Sequence, residues 1–337
     1  MILVTGGTGL VGAHLLFDLV KSGKRVRAIR RSEKSIQQAE KIFSFHSEGH
    51  KQLFSEIEWV EGDVTDIYSL LEAMNGVEYV YHCAGMISYN AKETSEMMKV
   101  NIEGTSNVVN ACLEKGIKKL CHVSSVAAFG TSERGNIISE NIKWKSSPHN
   151  SNYDISKYGG EREVWRGAEE GLSVVIVNPS IILGTGNWEQ GSPQLFHTVY
   201  KGLKIYSTGS AGFVDAKDVS KAMILLMESE IKNQRFILSS ENHLYKFFLE
   251  KTADALGKSR PKIKVGKFLT AIGWRIDKLK SAISGKPHLI TKEIARGACS
   301  KSFYSSEKMK QQLGFEFTPV EKSIKEVAKT YLSEKSK

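Results

Sequence analysis

The sequence predicts an α/β fold: a doubly wound parallel sheet with helices on both faces, followed by a smaller, mostly helical lobe. Three observations predict it. An apolar run, Ile2-Leu3-Val4, feeds directly into a glycine turn and then an amphipathic segment. Short, nearly continuous apolar runs then alternate with helical patterns through the first two thirds of the chain, the pattern of strands buried on both faces. From about Gly184 helical segments dominate.

Taken in order, Ile2–Val4 is the first strand. It runs into Thr5-Gly6-Gly7-Thr8-Gly9-Leu10-Val11-Gly12, and a helical pattern follows from His14 to Val20, closed by Gly23. Further strand-like runs lie at Arg25–Ile29, Glu58–Val60, Tyr79–His82, Leu120–Ser124 and Val174–Asn178. Helical spacing appears at Ile67–Met74, Thr94–Lys115 and Tyr153–Glu170. Residues 32–57, rich in Ser, Glu, Lys and Gln, are expected to form a polar, partly helical insertion that folds over the adenosine end of a ligand or lies in solvent. In the second lobe, helices are expected at Pro193–Lys201, Ala216–Glu228, Tyr245–Leu256, Lys267–Ile283, Ser306–Leu313 and Val320–Leu332. The division is therefore 1–183 and 184–337, with returns to the sheet near 213–240, where Ala216–Glu228 and Phe236–Leu238 resemble sheet-layer elements.

The chain has 337 residues with 41% hydrophobic content, enough for one large domain or two unequal lobes. The glycine turn begins at residue 6, which leaves no room for a signal peptide, and no run reaches the length of a membrane span. Cys83, Cys112, Cys121 and Cys299 lie far apart without a Cys-x-x-Cys pair, as expected of reduced thiols in a cytoplasmic protein. Net charge is +10, but residues 245–337 carry 21 Lys and Arg against 9 Asp and Glu. This basic part reads as a solvated surface rather than a nucleic-acid or membrane site. His82, His122 and His197 are too scattered to nominate a metal site.

Two features carry chemistry. In the opening turn, Gly6 permits the tight bend, Gly9 lets backbone N–H groups approach a dinucleotide pyrophosphate, and Gly12 lets helix and strand pack closely. The diphosphate then lies at a helix N-terminus, where free N–H groups and the helix dipole favour anions. Downstream, Tyr153 and Lys157 stand one helical turn apart. A phenol titrates near pH 10 unperturbed, so the expectation is that the Lys157 ammonium lowers it for acid–base work and also bonds the nicotinamide ribose. Ser125, with Ser124 beside it, supplies a hydroxyl at a strand end, where sites cluster in such sheets.

These residues resemble the extended short-chain dehydrogenase/reductases, the group that includes the NAD-dependent epimerase/dehydratases. The resemblance is firm over residues 1–230 and looser beyond. It implies a Rossmann-type fold and an adenine-contacting acid in Gly62-Asp63-Val64. It also implies a strand end beside the cofactor at Cys83-Ala84-Gly85, the family's Asn-x-x-Gly-Thr segment at Asn101–Thr105, and a loop meeting the carboxamide at Asn178-Pro179 through Ile182. Phe213-Val-Asp215-Ala-Lys-Asp218 matches a late family segment, and the long helices are where family members pair as homodimers. At the end of the second strand no acid stands to bond a ribose 2′-OH; Arg30, Arg31 and Ser32 stand there instead. The pattern resembles dihydroflavonol 4-reductase-like proteins and favours NADP over NAD, with Arg31 on the 2′-phosphate.

The implied reaction is reduction of a small ketone or aldehyde, as in dihydroflavonol reductases and 3β-hydroxysteroid dehydrogenases. A sugar-nucleotide epimerase or dehydratase is the alternative. That subgroup clamps a diphosphate with arginine, and the corresponding position here is Ala211. A non-catalytic NADP-binding regulator is a third reading, opposed by the intact Ser, Tyr and Lys. Tyr89, Trp188, Phe196 and Tyr206 are candidate pocket walls. The Lys267–Ile283 stripe is either core packing or a basic amphipathic surface helix.

Overall fold

The computed structural model describes residues 1–47, 49–130, 137–266 and 291–336. The expected helix at Lys267–Ile283 lies outside them. Strands β1 (Ile2–Thr5), β2 (Val26–Arg30), β3 (Glu58–Glu61), β4 (Tyr79–His82) and β5 (Lys119–Val123) form the first part of the sheet. The short β6 (Ile137–Ile138) lies outside it, β7 (Val174–Pro179) continues it, and β11 (Gln234–Leu238) closes its far edge. The seven strands run in the order β11-β7-β5-β4-β1-β2-β3, and every pairing among them is parallel. The order reverses between β1 and β4, so the crevice beyond their C-terminal ends is where a ligand belongs.

Helices α1 (Leu10–Lys21), α2 (Glu33–Ser44), α3 (His50–Ser55), α4 (Ile67–Ala73), α5 (Thr94–Met98), α6 (Gly104–Glu114) and α7 (Asn152–Glu169) flank this sheet. Apolar residues are buried on both of its faces. Leu15, Leu16, Val175 and Phe236 belong to one cluster, and Leu3, Val80, Val108 and Val164 to the other. The segment 32–57 forms α2 and α3, and part of it is buried. Ile42 and Phe43 of α2 are buried, and Phe43 packs edge-on against both Phe17 and Phe54. Two aromatic contacts and a helical stripe offset its polar composition.

The expected single helix at Thr94–Lys115 is interrupted by a π-turn at Lys99–Glu103. Such bulges occur frequently at functional sites, and this one carries Asn101. Its cause is tertiary. The Asn101 amide accepts from Met86 N at 2.7 Å and donates to Met86 O and to Ser156 Oγ, both at 2.9 Å, and local propensity carries no trace of that.

The second lobe contains β8 (Ile181–Leu183), α8 (Pro193–Tyr200), β9 (Ile205–Ser207) and β10 (Ser210–Asp215). After α9 (Ala216–Glu228) and β11 come β12 (Glu241–Leu244) and α10 (Tyr245–Ala255), then helices at Lys292–Gly297, Glu307–Leu313 and Val320–Lys335. Its core includes Phe196, Phe213, Phe248, Ile324 and Tyr331. Two of its elements sit in the sheet layer: β11 pairs with β7, and Val219, Ala222 and Leu226 of α9 share a cluster with Leu15 and Leu16 of α1. Of the proposed pocket walls, Phe196 is wholly buried in this core, and Trp188 is buried with its indole N–H on Glu334. Neither faces the site, whereas Tyr89 stacks edge-on with Tyr153 at 6.0 Å between centroids.

Candidate active site

The opening turn has the geometry its glycines imply. Gly6 adopts φ +67°, and a Cβ there would lie 2.4 Å from Ala84 N. A Cβ on Gly12 would lie 2.2 Å from Gly6 O. The helix therefore seats directly on the turn. Gly9 is the N-cap of α1 with no side chain capping it, so first-turn N–H groups remain for an anion. Thr5 is buried, Gly7 packs on Leu16, and Thr8, Leu10 and Val11 are half-buried around the cradle. These donors fit a dinucleotide pyrophosphate.

At the end of β2, Arg30 Nη2 pairs with Glu33 at 2.5 Å, while its Nε is buried without a partner. Arg31 and Ser32 are exposed, and Ser32 caps α2 with no side-chain bond. An orphaned guanidinium N–H, an exposed arginine and an open helix N-terminus fit a phosphate monoester. The Arg30–Glu33 pair was not anticipated from sequence. Asp63 directs one carboxylate oxygen to Thr65 N and Oγ1. Val64 is buried, and a Cβ on Gly104 would strike it.

Ser125, Tyr153 and Lys157 converge. Ser125 follows β5 and accepts from Ala127 N at 3.1 Å. Tyr153 lies in the first turn of α7, which Ser151 and Asp154 close with a reciprocal capping box. Burial pushes the Tyr153 phenol up to about 12, the neighbouring Ser125 hydroxyl opposing and Asp154 adding to the rise. This corrects the expectation that Lys157 depresses it. The Lys157 ammonium is instead held by Val123 O at 3.0 Å. Burial brings it down to about 8, with Glu161 and Cys83 acting upward.

Cys83, Ala84 and Gly85 line the end of β4, where a Cβ on Gly85 would lie 3.4 Å from Asn101 Oδ1 and 3.5 Å from Lys157 Nζ. The Asn101 amide is wholly engaged by Met86 and Ser156, so its place is that of a clamp between the β4 loop and α7. Asn178 and Pro179 end β7, fully buried, and Ile182 of β8 pairs with Val214. Asn178 Nδ2 donates to Ser125 O at 3.1 Å and to Glu161 at 2.7 Å.

Sequence reasoning passed over several residues. Ser124 Oγ donates to Glu161 Oε2 at 2.6 Å, and Glu161 is buried. Its position four residues after Lys157 was a readable signal. The His82 ring lies 5.0 Å from that of His122. His82 Nε2 meets Thr105 Oγ1 at 3.0 Å and its Nδ1 meets Thr5 Oγ1 at 2.7 Å. Burial, then the Lys157 charge, hold it down to about 3. Because Thr105 donates to Asn101 O, its oxygen accepts from Nε2–H, and Nδ1 accepts from Thr5.

A parallel sheet with a glycine turn at its switch point is the frame of a dinucleotide-dependent oxidoreductase. Residues 2–238 match the NAD dependent epimerase/dehydratase family, and the chain belongs to that family, the extended short-chain dehydrogenase/reductases. Sterol demethylase protein B of Methylococcus capsulatus is 28% identical over 269 residues, covering 78% of this chain and 76% of its own. A putative dihydroflavonol 4-reductase of Synechocystis is 26% identical over 330 residues, covering 95% and 91%. The crystal structure of gox2253 superposes with a TM-score of 0.80 at 25% identity, covering 99% of this chain and 98% of that one. Among the described residues no helix is long and apolar enough to cross a membrane.

Proposed function

We propose that the protein is an NADP-dependent oxidoreductase that reduces the ketone or aldehyde of a small hydrophobic substrate, or oxidises the corresponding alcohol. The observation that carries this over sugar-nucleotide chemistry is Ala211: it stands where a diphosphate-clamping arginine would be, and it is buried in the second lobe's core opposite His243. Relatives whose names refer to sterols and dihydroflavonols support a hydrophobic substrate of the same kind.

In this reading the nicotinamide, when bound, supplies or accepts the hydride. Ser125 and Tyr153 hold the carbonyl oxygen, and the phenol, protonated throughout the neutral range, delivers the proton. Lys157 binds the ribose hydroxyls. Purified protein is expected to oxidise NADPH stoichiometrically with an apolar ketone or aldehyde and to show no heat of binding with UDP-glucose. Sugar interconversion without net loss of NADPH would replace the reductase reading with the epimerase one.

The 2′-phosphate is assigned to Arg31 and Ser32 at the α2 N-terminus, with Arg30 beside them. Charge-assisted bonds of this kind contribute about 1.5–3 kcal/mol, so NADPH is expected to bind about ten- to a hundredfold more tightly than NADH. Arg31→Ala is expected to narrow that gap. Equal dissociation constants in the unmutated protein would assign the cofactor to NAD.

A further inference from the structure

Glu161 lies on α7 one turn beyond Lys157 and is 2% exposed. Both of its oxygens are fully occupied. Oε2 accepts from Ser124 Oγ at 2.6 Å and Asn178 Nδ2 at 2.7 Å. Oε1 accepts from Arg235 Nη1 at 3.0 Å and Trp165 Nε1 at 3.3 Å. Ser124 follows β5, Asn178 is on β7 and Arg235 on β11, so one carboxylate ties down three adjacent strands. It also orients Asn178. The two groups facing that amide, Glu161 and Ser125 O, are both acceptors, so the NH₂ must point at them. Ser125 is thereby held through its own carbonyl. Arg235 is fixed in turn by Glu140 O and Ile142 O, at 2.7 and 2.8 Å from Nη2, and lies 4.1 Å over the Phe129 ring.

We propose that Glu161 is a positioning residue for the reaction: it pins the strand ends beneath Ser125 and, one helical turn from Lys157, sets the electrostatic surroundings of that ammonium. A buried ion pair is weak evidence of stabilisation by itself, so a local role is the better account of its four donors. The inference rests on the reading of Lys157 as the group that binds the cofactor ribose.

The groups acting on or feeling Lys157 are Glu161 on its own helix, Cys83 and His82 at β4, and His122 on β5. Those facing Glu161 are Arg235, Ser124, Asn178 and Trp165, with Lys308 bonded to Arg235 O. His82 is down at about 3 and His122 well below its usual range, both chiefly through burial, while burial sends Tyr153 and Cys83 up to about 12. Lys157, at about 8, is the member of this cluster that titrates between pH 6 and 9.

The experiment is the dissociation constant of NADPH, by its nicotinamide fluorescence, from pH 6 to 9.5. In the unmutated protein affinity is expected to fall as pH rises past about 8, where Lys157 loses its charge. In Glu161→Gln the charge is lost earlier, and the break is expected about one pH unit lower. Glu161→Asp, which keeps the charge, should restore it. Uniform weakening of Glu161→Gln at every pH, with the break unmoved, overturns the proposal. An unmutated protein with no break refutes the Lys157 reading and the inference with it. Should Glu161→Gln fail to fold by circular dichroism, Arg235→Gln removes the counter-charge instead. The break must then move upward, and a stationary one overturns the proposal.

Discussion

Tyr153→Phe is expected to lower kcat/KM for the carbonyl substrate by about 10²- to 10⁴-fold, the usual contribution of a positioned acid or base. NADPH affinity should stay nearly unchanged. The two effects separate because the hydroxyl and the ring do different things. The hydroxyl is the group that would meet a substrate oxygen, beside the Ser125 hydroxyl that acts to lower its pKa. The ring packs edge-on against Tyr89, and phenylalanine preserves that contact. With the phenol pushed up to about 12, the proton needed for reduction is present across the neutral range. Alcohol oxidation needs the deprotonated form, so its rate should climb with pH well beyond 8 while reduction does not. Retention of most reductase activity in Tyr153→Phe would move the proton-transfer role to another group.

Gly12→Ala should abolish cofactor binding or the fold around it. The added Cβ would lie 2.2 Å from Gly6 O and 2.8 Å from Gly7 Cα, against backbone on both sides. Either α1 lifts from the turn or the turn opens. Overpacking costs about 1–3 kcal/mol even where side chains can adjust, so a loss of about ten- to a hundredfold in NADPH affinity is the smallest outcome expected. Gly9→Ala makes a useful contrast. Its Cβ would meet Gly6 O at an ordinary 3.4 Å, so the folded protein tolerates it and any loss there reports on crowding of the pyrophosphate. Isothermal titration with NADPH and a thermal melt distinguish the two. Full binding by Gly12→Ala would show that α1 can shift without disturbing the cradle.

What could be read in the sequence was what local patterning encodes. The run Tyr79–His82 and the helix Ala216–Glu228 have the expected bounds, because apolar periodicity and flanking turns mark them. Ser125 just past a strand end, and Tyr153 and Lys157 one turn apart on α7, follow from the same local patterning. The rest depended on partners distant in the chain. The π-turn at Asn101 comes from Met86 and Ser156. The Lys157 ammonium is drawn to Val123 O, and burial outweighs the charge that was expected to acidify Tyr153. Arg30 is shared with Glu33, and Glu161 gains its meaning only where β5, β7 and β11 end side by side. Residues 32–57 hid the buried side chains of Ala39, Ile42, Phe43 and Ile57 within a polar composition.

The hydrogen bonds around His82 admit a single arrangement of protons. Ala84 N–H points to Thr5, Thr5 to His82, His82 to Thr105 and Thr105 to Asn101 O, while the Asn101 amide reaches Ser156 on α7. No link can reverse without stranding a buried donor, which costs about 1–3 kcal/mol. The thread therefore behaves as a ratchet pawl with one resting position, joining the turn that grips the cofactor to the helix that carries Tyr153. Loosening either end is felt at the other, so amide protons of the α7 first turn should exchange faster in any variant that opens the glycine turn.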